Sequence, residues 1–182
     1  MSDPAPIRPQ YDRLGPDAFY KQHGSTYANP HAGIIRELVR DVAREQSLNL
    51  THCLDLAAGA GEATLGLLDA GAARIDAIDP YTHVAYQRAI GRPCEQFTFE
   101  QIAQGALRGR RWSLIVCSFA LHLVERSRLP ALCLELADRA PALLILTPHK
   151  RPIISSTWGW KLRCEALRER VYAVFKVHLQ LC

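Results

Sequence analysis

The chain has 182 residues, 48% of them hydrophobic and 22% charged, with a formal net charge of +4. That length and apolar share fit one domain with a sizeable core and leave little for a second. No apolar run approaches the roughly 20 residues of a membrane span, which argues against a membrane partner. The first residues lack an apolar signal region, and six cysteines show no Cys-x-x-Cys pair, so a reducing, cytoplasmic location is expected.

In chain order, residues 1–28 open with a proline-rich stretch that reads as a flexible lead, with a short helix over Asp17 to His23. The domain proper is expected over residues 29–182. Asn29-Pro30 supplies a cap and a first-turn proline, and Ile34, Ile35, Leu38, Val39 and Val42 then recur at helical spacing. Strands are expected at about Thr51 to Ala57, Arg74 to Asp79, Gln96 to Phe99, Trp112 to Phe119 and Ala142 to Thr147. Helices fill the intervals, the clearest being Arg128 to Arg139 behind Ser127 as its cap. This alternation predicts an α/β fold with a doubly wound, mostly parallel sheet and helices on both faces. After Pro152 come a Trp158-Gly159-Trp160 loop, a helix ending near Arg168 and one β-branched run from Val171 to Val177.

The segment from Cys53 to Thr64 carries the chemistry. An apolar run breaks into Gly59-Ala60-Gly61 and then a helix-like stretch, and Asp79 follows Gly61 by eighteen residues. Strand, tight turn and helix in that order place a nucleoside at strand ends. Thr64 stands where a dinucleotide site wants its third glycine, and Glu62 sets a carboxylate beside the turn, which repels a pyrophosphate. Asp55 and Glu62 suit a cationic ligand without phosphate, such as S-adenosylmethionine.

Residues Leu54-Asp55-Leu56-Ala57-Ala58-Gly59-Ala60-Gly61 resemble the first motif of the class I S-adenosylmethionine-dependent methyltransferases. Trp112 to His122 is similar to that family's fourth strand and following loop, and Leu143 to Pro148 to its fifth, so the resemblance spans roughly residues 30 to 150. It implies a Rossmann-like methyltransferase fold, S-adenosylmethionine as cofactor, and Asp79, flanked by Pro80, as the acid that takes both ribose hydroxyls. It further implies Glu100 near the adenine amino group with Phe99 stacking on the ring, and Tyr20, Tyr27, Asn29 and His31 in an N-terminal lid. The family's sheet ends with two further strands, of which only one fits comfortably before Cys182, so the last strand is expected to be incomplete. An open edge there would suit a homodimer or a protein partner.

Ser118, Phe119 and His122 are expected to line the space beside the transferred methyl group, with His122 the candidate general base because its ordinary pKa lies near neutrality. His149 and Lys150, in the loop after the Ala142–Thr147 strand, offer cations to an acidic acceptor. The seven histidines show no metal-ligand spacing, so no metal is expected. The motif of base-amino methylating enzymes is absent, which disfavours DNA. Without aromatic and basic residues interleaved, RNA is disfavoured too. The expected activity is methyl transfer to a small molecule. A catalytically silent cofactor-binding subunit is the alternative, and an RNA or protein methyltransferase comes third.

Overall fold

A computed structural model describes residues 18, 22–24, 29–149 and 151–179. The elements are α1 (Ala32–Glu45), β1 (Cys53–Leu56), α2 (Glu62–Asp69), β2 (Ile75–Ile78), α3 (His83–Ile90), α4 (Phe99–Ala103), β3 (Leu114–Ser118), α5 (Leu129–Ala137), β4 (Ala142–Thr147), β5 (Trp160–Arg168) and β6 (Val171–His178). Six strands form one sheet in the order β2-β1-β3-β4-β6-β5. β1 pairs in parallel with β2 and β3, and β3 with β4, whereas β6 runs antiparallel to β4 and β5.

The central strands are apolar on both faces, as a sheet covered on both sides requires. Leu54, Leu56, Ile115, Cys117, Leu143 and Ile145 meet α4 and α5 on one face. Alternate residues Cys53, Leu114, Val116, Leu144 and Leu146 meet α1 and α2 on the other. Gly66 lets α2 lie directly on α1: a Cβ there would stand 2.5 Å from the Arg36 carbonyl oxygen and 2.8 Å from Val39 Cβ.

Several local expectations give way to tertiary or capping chemistry. The first helix starts at Ala32 with His31 as its N-cap, while the Asn29 side chain accepts the His31 N–H in a preceding turn at 2.9 Å. No strand forms over Gln96 to Phe99. A single bridge joins Ile78 to Glu95, and Thr98 and Gln101 build a reciprocal capping box that starts α4 instead. Ser127 does not cap α5, which begins at Leu129 after Arg128. The helix expected before Arg168 is strand β5, so the sheet ends in a complete antiparallel hairpin and not in a truncated strand. Its two-residue turn is Glu169-Arg170, both at positive φ (46° and 66°), as a primed hairpin turn demands. Exposed Lys161, Arg163, Glu165 and Arg168 along edge strand β5 oppose pairing with a further strand.

At the amino ends of the strands, Asp76 accepts hydrogen bonds from His52 Nε2 (2.9 Å), Trp112 Nε1 (2.9 Å) and Arg110 (3.3 Å). This knot ties β1, β2 and the start of β3 together on the side away from the glycine turn.

Candidate functional site

The turn after β1 departs sharply from ordinary backbone. Ala57, Gly59 and Gly61 all have positive φ (56°, 60° and 98°), so the chain reverses within five residues and α2 starts immediately. A side chain at Gly61 would overlap Ile90. Ala58 N–H bonds the Ile78 carbonyl at 3.1 Å, fastening the turn to the end of β2.

Three carboxylates surround this turn. Asp55, completely buried, accepts from the Thr64 N–H (2.9 Å) and hydroxyl (2.7 Å) through Oδ2, while Oδ1 has no partner. Burial pushes its pKa up to about 7, with the charges of Glu62 and Asp79 adding to the shift against the Thr64 hydrogen bonds. Glu62 is 6% exposed and accepts the Ala60 N–H at 3.2 Å; burial raises its pKa as well. Asp79 Oδ2 accepts the Gly59 N–H at 3.1 Å, and Oδ1 accepts the N–H groups of Tyr81 and Thr82, both at 2.8 Å.

A cleft of about 1010 Å³ lies over the carboxyl ends of β1, β2 and β3. Of the residues singled out from sequence, Ala57, Gly59, Asp79, Pro80, Phe99, Glu100, Ser118 and Phe119 line it, together with Glu62. Asp55 and Gly61 stand behind the wall and shape the turn. Glu100 is ion-paired with Arg128, which also lies 3.3 Å from Glu125 on the rim. Phe119, itself at positive φ (54°), stacks on His31 with ring centroids 5.2 Å apart.

His122 lies in a 3-10 turn, Leu121–Leu123, and is not among the described residues lining the cleft. Its Nδ1 is buried without a partner, and burial, then the charge of His149, pulls its pKa down to about 4. The two imidazoles meet edge-on at 6.2 Å. Tyr20, Tyr27 and Lys150 lie outside the described residues. Among the described residues no group of three or more histidine, cysteine or acidic side chains could hold a metal, and no helix is long and apolar enough to cross a membrane.

Asn29, expected from sequence in the lid group, also lines the wall, whereas Phe97, Tyr81, Thr82 and Arg128 there were not singled out. The apolar lining from α4 and α5 carries no pattern that separates it from core.

No protein-family model matches the chain. An uncharacterized protein of Schizosaccharomyces pombe is 31% identical over 199 aligned positions, covering 86% of this chain and 80% of the yeast protein. Among solved structures, an O-methyltransferase family protein from Burkholderia thailandensis superposes with a TM-score of 0.62 at 18% identity. The match covers 94% of this chain but 61% of that longer protein. Magnesium protoporphyrin IX methyltransferase from Synechocystis PCC 6803, solved with bound S-adenosylmethionine, superposes with a TM-score of 0.61 at 15% identity, over 98% of this chain and 100% of the other. At these identities the structural likeness is one of fold.

Proposed function

Because the chain belongs to one family with that uncharacterized fission-yeast protein and has the class I S-adenosylmethionine-dependent methyltransferase fold, we propose that it transfers a methyl group from S-adenosylmethionine to a small-molecule acceptor. The observation that carries this reading is the Asp79 carboxylate, held by three backbone N–H groups at the mouth of a glycine turn in the cleft over the strand ends. A carboxylate fixed before the ligand arrives binds hydroxyls without further reorganisation.

Charge selects the nucleoside. Glu62 and Asp79 face the cleft, and the one guanidinium among its described lining residues, Arg128, is already paired with Glu100. A pyrophosphate would find carboxylates and no free cation, whereas an ammonium and a sulfonium are complemented. Glu62 and the turn at Gly59 would hold the amino-acid end, Asp79 the ribose, and Phe99 and Glu100 the adenine. The bound cofactor supplies an activated methyl group. The chain's own work is to align the acceptor in line with it and exclude water.

Ser118 and Phe119 stand at the carboxyl end of β3, where the acceptor would lie, and His149 with Lys150 would attract an acidic one. His122 remains the candidate to take a proton, but a ring neutral down to about pH 4 is a weak base. An acceptor nucleophilic at neutral pH, an amine or a thiol, therefore suits the site better than a hydroxyl. The same observation favours the second reading, a cofactor-binding subunit without turnover. Arg36, Arg40, Arg110, Arg128, Arg139 and Arg168 are each ion-paired, so these six present no uncompensated charge to RNA or another polyanion.

Calorimetry with S-adenosylmethionine, S-adenosylhomocysteine and NAD tests the cofactor, followed by a labelled-methyl screen of amine, thiol, phenolic and acidic metabolites. Binding of the first two, at least tenfold weaker in Asp79→Ala, is expected. No heat from either ligand with folded wild-type protein would overturn the proposal. Binding without any labelled product would leave the silent subunit.

A further inference from the structure

We infer that Thr82 is a second ribose-binding residue and that residues 22–24 form a seat over it, so that cofactor binding holds this N-terminal contact closed. This rests on the cofactor reading above. Lone-pair counting is the starting point. A carboxylate offers about four acceptor directions. Both on Asp79 Oδ1 are used by the N–H groups of Tyr81 and Thr82, and one on Oδ2 by Gly59. Room is left for one of two vicinal ribose hydroxyls.

The Thr82 hydroxyl is the group placed to take the other. It lines the same cleft, three residues after Asp79, in a residue only 2% exposed, and its Oγ1 has no hydrogen-bond partner. It precedes α3 as N-cap residue, yet makes no side-chain cap bond. A buried hydroxyl left unpaired is destabilising, and a ligand hydroxyl would remove that penalty.

What buries this turn includes Gly24. Residues 22–24 are helical, and Gly24 is buried against the backbone of Tyr81 and Thr82. A Cβ at Gly24 would collide with the Tyr81 carbonyl oxygen and stand 2.8 Å from its carbon and 3.5 Å from Thr82 N. Only glycine lets the segment seat there without displacing backbone. In the seated state the unpaired Thr82 hydroxyl opposes closure, and a ribose hydroxyl that pairs with it favours closure. Ligand and seat therefore reinforce each other.

The test compares wild type, Thr82→Val and Gly24→Val by calorimetry, dissociation kinetics and thermal melting. The probes are S-adenosylhomocysteine and its analogues lacking either ribose hydroxyl. Thr82→Val keeps the side-chain shape, so its ligand-free melting temperature should equal or exceed that of wild type while its affinity for S-adenosylhomocysteine falls at least tenfold. For one deoxy analogue, wild type and Thr82→Val should bind alike. Gly24→Val should release S-adenosylhomocysteine at least tenfold faster. Unchanged affinity in Thr82→Val, or an equal loss for all three probes, would overturn the role of Thr82, and an unchanged release rate in Gly24→Val would overturn the seat. Failure of wild type to bind S-adenosylhomocysteine would instead overturn the cofactor reading, and this inference with it.

Discussion

Cofactor binding should release a proton, and the carboxylates at the glycine turn set how much. Asp55 is completely buried with a pKa pushed up to about 7, first by burial, so roughly half of the ligand-free protein carries its proton at pH 7. A cation bound beside Glu62 and Asp79 favours the ionised form of every carboxylate nearby. If it lowers the Asp55 value by about two units, a common size for a close opposite charge, about half a proton leaves per cofactor bound at pH 7. By linkage the affinity then rises about ninefold between pH 6 and pH 8. Calorimetry in buffers of differing ionisation enthalpy measures the proton directly. Asp55→Asn retains an oxygen for Thr64 but cannot ionise, so its proton release and its pH slope should both collapse. Proton uptake by wild type, or an Asp55→Asn slope equal to that of wild type, would refute the reasoning.

Stability supplies three further expectations. Gly66→Ala forces a Cβ to within 2.5 Å of the Arg36 carbonyl oxygen; overpacking of this kind costs about 2 kcal/mol and should lower the melting temperature by roughly 4 to 8 °C, and an unchanged temperature would mean that α1 and α2 separate freely. Asp76→Ala strands the Trp112 N–H and should cost about 2 to 3 kcal/mol in denaturant unfolding. Burial alone would raise the Asp76 pKa, but the Trp112 and His52 hydrogen bonds overcome it and hold it below the ordinary value. The difference from wild type should therefore be full above the usual carboxylate range and fade as the pH falls through the lowered value. Burial and then His149 keep His122 neutral down to about 4, whereas the unfolded chain binds that proton near 6.5. Wild type should thus lose up to about 3 kcal/mol as pH falls from about 6.5 towards 4, and a His122→Phe variant with the same pH slope would refute this.

What could be read from the sequence divides along physical lines. Cys53 to Thr64, the strand around Leu114 to Ser118 and Ala142–Thr147 were legible because apolar runs, positive-φ glycines and an acid at the next strand's end follow from local chemistry. The hairpin was not. Trp160–Arg168 is rich in leucine, arginine, glutamate and alanine, all good helix formers, and its turn is Glu-Arg where Asn-Gly would have announced a hairpin. Pairing with β6 overrides that propensity. At the site, Asp79 and Gly59 line the cleft, whereas Thr82 and Arg128 come into it through packing that no spacing encodes. His122 follows the expected strand, in the turn at Leu121–Leu123, but is not among the described residues lining the cleft.

β2 is the outermost strand on its side of the sheet, and in place of a further strand it has one bridge to Glu95. Asp79 N–H reaches the Glu95 carbonyl at 2.8 Å, and Glu95 N–H returns to Ala77 at 2.9 Å. The acid that anchors the site is thus secured by a handful of local hydrogen bonds at the thin margin of the sheet, where opening needs far less free energy than unfolding the centre. A ligand at this margin would stiffen an edge of the sheet. Affinity and global stability are therefore separable here: changes around Glu95 and the Asp79–Thr82 turn can tune how long a cofactor stays bound while the apolar strands behind them hold the fold intact.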